Sequence, residues 1–135
     1  MKSLQKGFSL LEMLVVLAIM GITSHWMVNQ YQSFIAVEKR RAAIATLLNL
    51  AAALEEYALI HSSYAEATLS NLHVAQLPAQ QRYVLHINFT NTNHYLISAH
   101  PSADQAKYDI NCGNLLLSSD GEKSVSGNSS WRQCW

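Results

Sequence analysis

Glu12 is the residue whose placement most demands a chemical reason. It interrupts the run Phe8-Ser9-Leu10-Leu11-Glu12-Met13-Leu14-Val15-Val16-Leu17-Ala18-Ile19-Met20-Gly21, and from Glu12 to Glu38 there are 25 residues without Asp, Glu, Lys or Arg. A carboxylate at the middle of a bilayer costs about 2.5 to 3.5 kcal/mol on insertion scales, so a chain that keeps one there must gain something from it. The only cysteines are Cys112 and Cys134. Two cysteines cannot build a four-thiolate metal site; in an exported chain they would most simply pair, and in the cytosol they would stay free. Among the six histidines, His94 and His100 share a strand face with His86 as a neighbour. No carboxylate or cysteine stands at ligand spacing, so they read as exposed strand histidines, and no metal or other cofactor is expected. No nucleophile elbow, fixed catalytic spacing or phosphate-cradling glycine loop is present, so no enzymatic activity is expected.

The elements that must carry these residues follow from periodicity. No proline interrupts residues 8 to 77, and apolar residues at Val37, Ile44, Leu47, Leu48, Ala51, Leu54, Ala58 and Leu59 recur in steps dominated by three and four. That is one face of an amphipathic helix, rich in Ala and Leu. One helix is expected from about Phe8 to about His61, on the order of 80 Å long at 1.5 Å per residue. Residues 62 to 82 read as a connector broken by Pro78 and pinned by Leu69, Leu72, Val74 and Leu77. The period then becomes two. Tyr83, Leu85, Ile87 and Phe89 share one strand face, and Tyr95, Ile97 and Ala99 another, across a turn at residues 90 to 93. Pro101 to Ala106 reads as a loop, Gly113 to Ser118 as a third strand, Asp120-Gly121 as a hairpin turn, and Glu122 to Ser126 as a fourth strand. The fold class expected is α+β, a long helix against a small antiparallel sheet.

Three readings compete for the first segment. A secretory signal peptide has the basic start, Lys2 and Lys6, and the apolar core, but no small-x-small cleavage site follows the core. A plain membrane anchor has the length, about 20 apolar residues, but gains nothing from Glu12. The third reading is a resemblance. Lys6-Gly7-Phe8-Ser9-Leu10-Leu11-Glu12, with the apolar tail from Met13 to Ile22, is similar to the processing motif of the type IV pilin family: a short basic leader, a Gly, an apolar residue, and a glutamate at the fifth mature position. Asn111-Cys112-Gly113-Asn114 to Lys123, closed by Trp131-Arg132-Gln133-Cys134-Trp135, resembles the last two strands and closing Cys-Trp of small Gram-negative pilins and minor pilins. The family often has a proline where this chain has Asn29, which leaves open whether the helix bends there.

The resemblance implies a leader at 1–7, a transmembrane and filament-core half of the helix at 8–35, and a periplasmic or extracellular globular domain at 36–135. A prepilin peptidase would cut between Gly7 and Phe8 and methylate the amine of Phe8. Glu12 lies four residues along the same helical face as that amine. In an array of parallel helices it would meet the amine of a neighbour, pinning the stagger between subunits. A 112–134 disulfide would add roughly 3 kcal/mol by the loop-entropy argument. Lys2 and Lys6 before the span and Lys39, Arg40 and Arg41 after it do not set the orientation; the resemblance implies a cytoplasmic N-terminus in the inner membrane, then a place in a surface pilus. The implied partners are other pilin subunits, the peptidase and the inner-membrane assembly machinery. The implied roles are adhesion, twitching motility or DNA uptake. The alternatives are a type II secretion pseudopilin and an anchored module that never polymerises. For DNA, the chain without residues 1–7 has seven Lys/Arg against nine Asp/Glu, so global attraction is lacking. Arg82, Lys107, Lys123 and Arg132 on one face, with Trp131 and Trp135 for stacking, would compensate; apolar packing around the disulfide is the simpler role for the tryptophans.

Overall fold

A computed structural model describes residues 7–74 and 82–135. The sequence features at residues 1–6, Leu77 and Pro78 lie outside the described residues. The chain divides into two compact units, one ending at Phe34 and the other spanning Ile35–Trp135.

Helix α1 runs over Leu10–His61. Its first turn opens at Ser9, whose carbonyl accepts from the amides of Glu12 (3.0 Å) and Met13 (3.2 Å). The helix runs unbroken through Asn29, whose carbonyl accepts from Ser33 Oγ at 3.1 Å. In the first unit the apolar side chains face outward all round the helix, from Leu10 and Leu11 to Val28 and Phe34. A helix that is apolar on every side needs a cover of lipid or protein, and α1 is long and apolar enough to cross a membrane.

In the second unit, α1 buries Ala36, Ala43, Leu47, Leu50 and Leu54. These are spaced by seven, four, three and four, a single stripe. The stripe is rotated from the one expected: Leu48 and Leu59 are exposed, and Leu50 and Ala43 take their places. Leu47 and Leu54, shared by both readings, anchor it. Against the stripe lies a four-stranded antiparallel meander in the order β1-β2-β3-β4. The strands are β1 (Tyr83–Asn91), β2 (His94–Pro101), β3 (Leu115–Ser118) and β4 (Lys123–Val125). Tyr83, Leu85, Tyr95, Ile97, Ala99, Leu115 and Leu117 form its inner face and join Ala43, Leu47, Leu50 and Leu54 in one core. Phe89 is expected in that row but is 39% exposed; it pairs with Tyr95 at the last position before the register slips towards Asn91. Asn91 Oδ1 accepts from the amide of Asn93 at 2.8 Å and tightens the turn. Gly121, at φ +80°, closes the β3–β4 hairpin, with Ser118 and Glu122 bonded across it.

Two elements differ from the sequence reading. The expected loop from Pro101 contains helix α2 (Ala103–Tyr108), and the C-terminal block contains a one-turn helix α3 (Trp131–Cys134). Each is preceded by a serine in extended conformation, Ser102 and Ser130. Both are too short to declare a 3.6-residue period, so only those serines signal them. The connector begins as expected. Ser62 turns the chain at φ 56°, and Tyr64 and Ser63 bond to the carbonyl of Thr92 in the β1–β2 turn.

Candidate functional site

The N-terminal site is laid out by the first helical turn. Gly7 and Phe8 precede α1 in non-helical backbone, and Phe8 is 81% exposed. The Gly-Phe junction is therefore accessible and outside the helical hydrogen-bond ladder. Glu12 stands in the first turn of α1 with its side chain exposed, where the backbone dipole favours a negative charge.

The second site surrounds the disulfide between Cys112 and Cys134. Both cysteines are buried among core residues. Cys112 begins a stretch that lies flat against the segment after β4. The amide of Gly127 donates to the Cys112 carbonyl at 3.1 Å, and that of Ser129 to the Asn111 carbonyl at 2.9 Å. Gly127 is required by that approach, since a Cβ there would overlap the backbone of Asn111 and Cys112. The disulfide fixes α3, and α3 sets out a row of aromatic and cationic groups. Trp135 is held by Nε1–H donating to the Ser124 carbonyl at 3.1 Å. Lys123 Nζ lies 5.4 Å from the Trp135 ring centroid, and the Arg132 guanidinium 5.6 Å from that of Trp131. Gly121, Glu122, Lys123, Ser124 and Trp131 line an open recess of about 450 Å³ beside them. Half-open tryptophan faces next to cations suit stacking and phosphate contact.

The four cations grouped by the sequence reading are divided by the fold. Lys123 lies over Trp135 and Arg132 over Trp131. Arg82 lies where β1 starts, its carbonyl bonded to the Ser102 amide at 2.8 Å, and Lys107 stacks on Tyr108 in α2. The pairing register puts that start of β1 beside the end of β2, whereas Lys123 pairs with Leu117 towards the other end of the sheet.

Sequence reasoning missed a buried polar cluster that ties α1 to α2. Arg40 of α1 forms a salt bridge with Asp109, with side chains only 12% and 8% exposed. Asp109 Oδ2 also accepts from Tyr83 Oη at 3.1 Å and Gln105 Nε2 at 3.3 Å, and Gln105 Nε2 reaches the Ala36 carbonyl at 2.8 Å. Burial first, then the Asp109 charge, raises the Tyr83 hydroxyl well above its ordinary value. No local pattern in the sequence joins Arg40 to Asp109, because the two sit 69 residues apart. A second tie is Glu55, which accepts from Tyr64 Oη at 2.9 Å and Tyr95 Oη at 3.1 Å. The Tyr95 hydroxyl is raised by burial and then by that bond.

The histidines are also redistributed. His94 faces Ser119 at 3.1 Å, while the rings of His86 and His100 touch at a tilt, with centroids 4.5 Å apart. Burial, and then the nearby His86, lowers His100 below the usual histidine value. Among the described residues, no group of three or more His, Cys, Asp or Glu is placed to hold a metal.

A long helix with an apolar front, a small meander on its later turns and a disulfide-closed C-terminal segment define a pilin-like α+β protein. A family model described as type IV minor pilin ComP, DNA uptake sequence receptor, matches residues 29–116, and one described as the prokaryotic N-terminal methylation motif matches residues 2–27. The chain therefore belongs to the type IV minor pilin family. It is similar to the type IV major fimbrial protein FimA of Dichelobacter nodosus, 56% identical over 36 residues, which is 27% of this chain and 23% of that protein. It is also similar to a type IV major pilin protein PilE1 of Neisseria gonorrhoeae, 27% identical over 117 residues, covering 87% of this chain and 53% of the relative. Another PilE1 is 36% identical over 70 residues, 52% of this chain and 42% of that protein. The matches thus span at most about half the length of these curated relatives.

Proposed function

We propose that this chain is a minor subunit of a type IV pilus that presents a DNA-binding surface. It is cleaved between Gly7 and Phe8 and methylated on Phe8. It waits in the inner membrane on α1 with its N-terminus in the cytoplasm, and is then drawn into a filament by the assembly machinery. Glu12 pairs with the Phe8 amine of a neighbouring subunit, and the all-round apolar surface of the first unit exchanges lipid for other pilin helices. This reading is supported by the match of the first 27 residues to the methylation motif and by the exposed Gly-Phe junction.

The DNA reading is carried by one observation: on the disulfide-closed segment Lys123 and Trp131 line one open recess, with Trp135 next to Lys123 and Arg132 next to Trp131. The family model that fits most of the chain is described as a DNA uptake sequence receptor, which supports the same reading. Cations there contact phosphate, and the tryptophan faces contact sugar or base. Natural transformation is the role this favours over adhesion or twitching motility. The test is fluorescence anisotropy of the full-length chain in detergent with labelled duplex DNA over a salt series. The logarithm of the binding constant should fall linearly with the logarithm of salt, and K123A/R132A should flatten that slope by about two phosphate contacts. Binding that is unchanged by the double substitution would place the DNA elsewhere.

A further inference from the structure

The outer face of the sheet carries a feature that neither assembly nor DNA binding uses. In the β1–β2 register His86 lies opposite Ser98, and His100 opposite Val84, so the two histidines are diagonal neighbours on one face. Their rings touch, with centroids 4.5 Å apart and planes tilted by 55°. His100 is fixed from below: its Nε2 is 3.0 Å from Ser98 Oγ, and Ser98 is 2% exposed in a strand paired on both sides. His86 is exposed and, among the described residues, neither of its ring nitrogens has a hydrogen-bond partner. Two imidazoles in contact, one held by a buried hydroxyl and the other open to solvent, present nitrogen donors from adjacent strands on one face.

We propose that His86 and His100 form a two-histidine site for a divalent transition-metal ion on the outer face of the sheet, with Ser98 as the positioning residue. Imidazole nitrogen suits zinc, copper and nickel, whereas magnesium and calcium take oxygen donors. A metal-bound histidine characteristically donates its other ring N–H to an oxygen, which fixes the tautomer and the ring plane. In the tautomer with Nε2–H donating to Ser98 Oγ, Nδ1 of His100 keeps the lone pair a metal requires. The two histidines supply two ligands, and water completes the coordination. The sequence reading set aside a metal because no carboxylate or cysteine stands at ligand spacing; the fold keeps His86 beside His100, as that reading had it, and sets His94 apart against Ser119.

The experiment is a zinc chloride titration of the full-length, 15N-labelled chain in detergent micelles, read by long-range 1H–15N spectra of the imidazoles, with magnesium chloride as control. The His86 and His100 signals should move together at zinc concentrations that leave His25, His61, His73 and His94 unmoved, and magnesium should move neither. His86→Ala changes an exposed side chain and should abolish the zinc response of His100. Ser98→Ala should weaken binding about 10- to 100-fold while the backbone amide spectrum stays as in the parent chain. Zinc that moves all six histidines in step, or a His100 response that survives His86→Ala, overturns the proposal.

Discussion

Single residues carry the most in this molecule where a charge sits away from water. In the proposed membrane and filament states Glu12 is one such place. Removing its carboxylate lowers the cost of membrane insertion, so Glu12→Ala should reach the membrane at least as well as the parent chain. It should be depleted from filaments, because the stagger loses its electrostatic marker. Comparing sheared pili with the membrane fraction by immunoblot checks this, and equal incorporation would remove Glu12 from assembly. Mass spectrometry of the same pili should find a methylated Phe8 at the N-terminus; an intact Met1 would end the processing account. Asp109 is the second such place. Asp109→Ala leaves the guanidinium of Arg40 and the hydroxyl of Tyr83 buried without their acceptor. A broken buried pair costs about 3 to 5 kcal/mol, a loss that a denaturant midpoint resolves easily. Exchanging Arg40 and Asp109 together for apolar residues of similar volume should restore most of it.

At the level of elements, the domain depends on how α1 and the sheet are tied. The apolar stripe does most of this: truncating Leu47 or Leu54, each 0% exposed, should cost about 2 to 5 kcal/mol. The polar ties give the docking a pH dependence. Tyr83 and Tyr95 are held protonated above the ordinary tyrosine value of about 10. In the unfolded chain they release their protons near that value. Stability from these groups is therefore complete below about pH 10 and is lost as pH rises past it. Unfolding midpoints taken on either side of that pH should show the fall, and Tyr95→Phe should reduce its steepness. The helix and the strand faces were legible in the sequence because their apolar residues repeat at 3.6 and at 2 over many positions. The rotation of the helix stripe was not, because in an Ala- and Leu-rich run several faces are nearly equally apolar and only the sheet decides among them. Helices α2 and α3 are too short to show a period, and the Arg40–Asp109 pair joins positions that no local pattern connects. For the sites, the motif around Gly7, Phe8 and Glu12 is local and could be read directly. The partition of Arg82 and Lys107 from Lys123 and Arg132 needed the strand register.

For the molecule as a whole, the disulfide between Cys112 and Cys134 holds the proposed DNA-binding surface to the core. Gly127→Ala should displace the stretch at Asn111 and Cys112, and thereby Trp131 and Arg132. The expected result is a loosened C-terminal loop with faster disulfide reduction, measured by thiol labelling in a reductant series, and weaker DNA binding in the same preparation. Labelling at the parent rate would show that the segment accommodates a methyl group. The same connections fix how a pull on that loop would travel. Tension applied at Trp131 or Arg132 enters a covalent sulfur bridge at Cys134, leaves it at Cys112, and three residues back along the chain reaches Asp109 and its grip on Arg40. The load thus arrives on the long helix through a bond and a buried ion pair. It bypasses β4, whose three paired residues would be the first to peel.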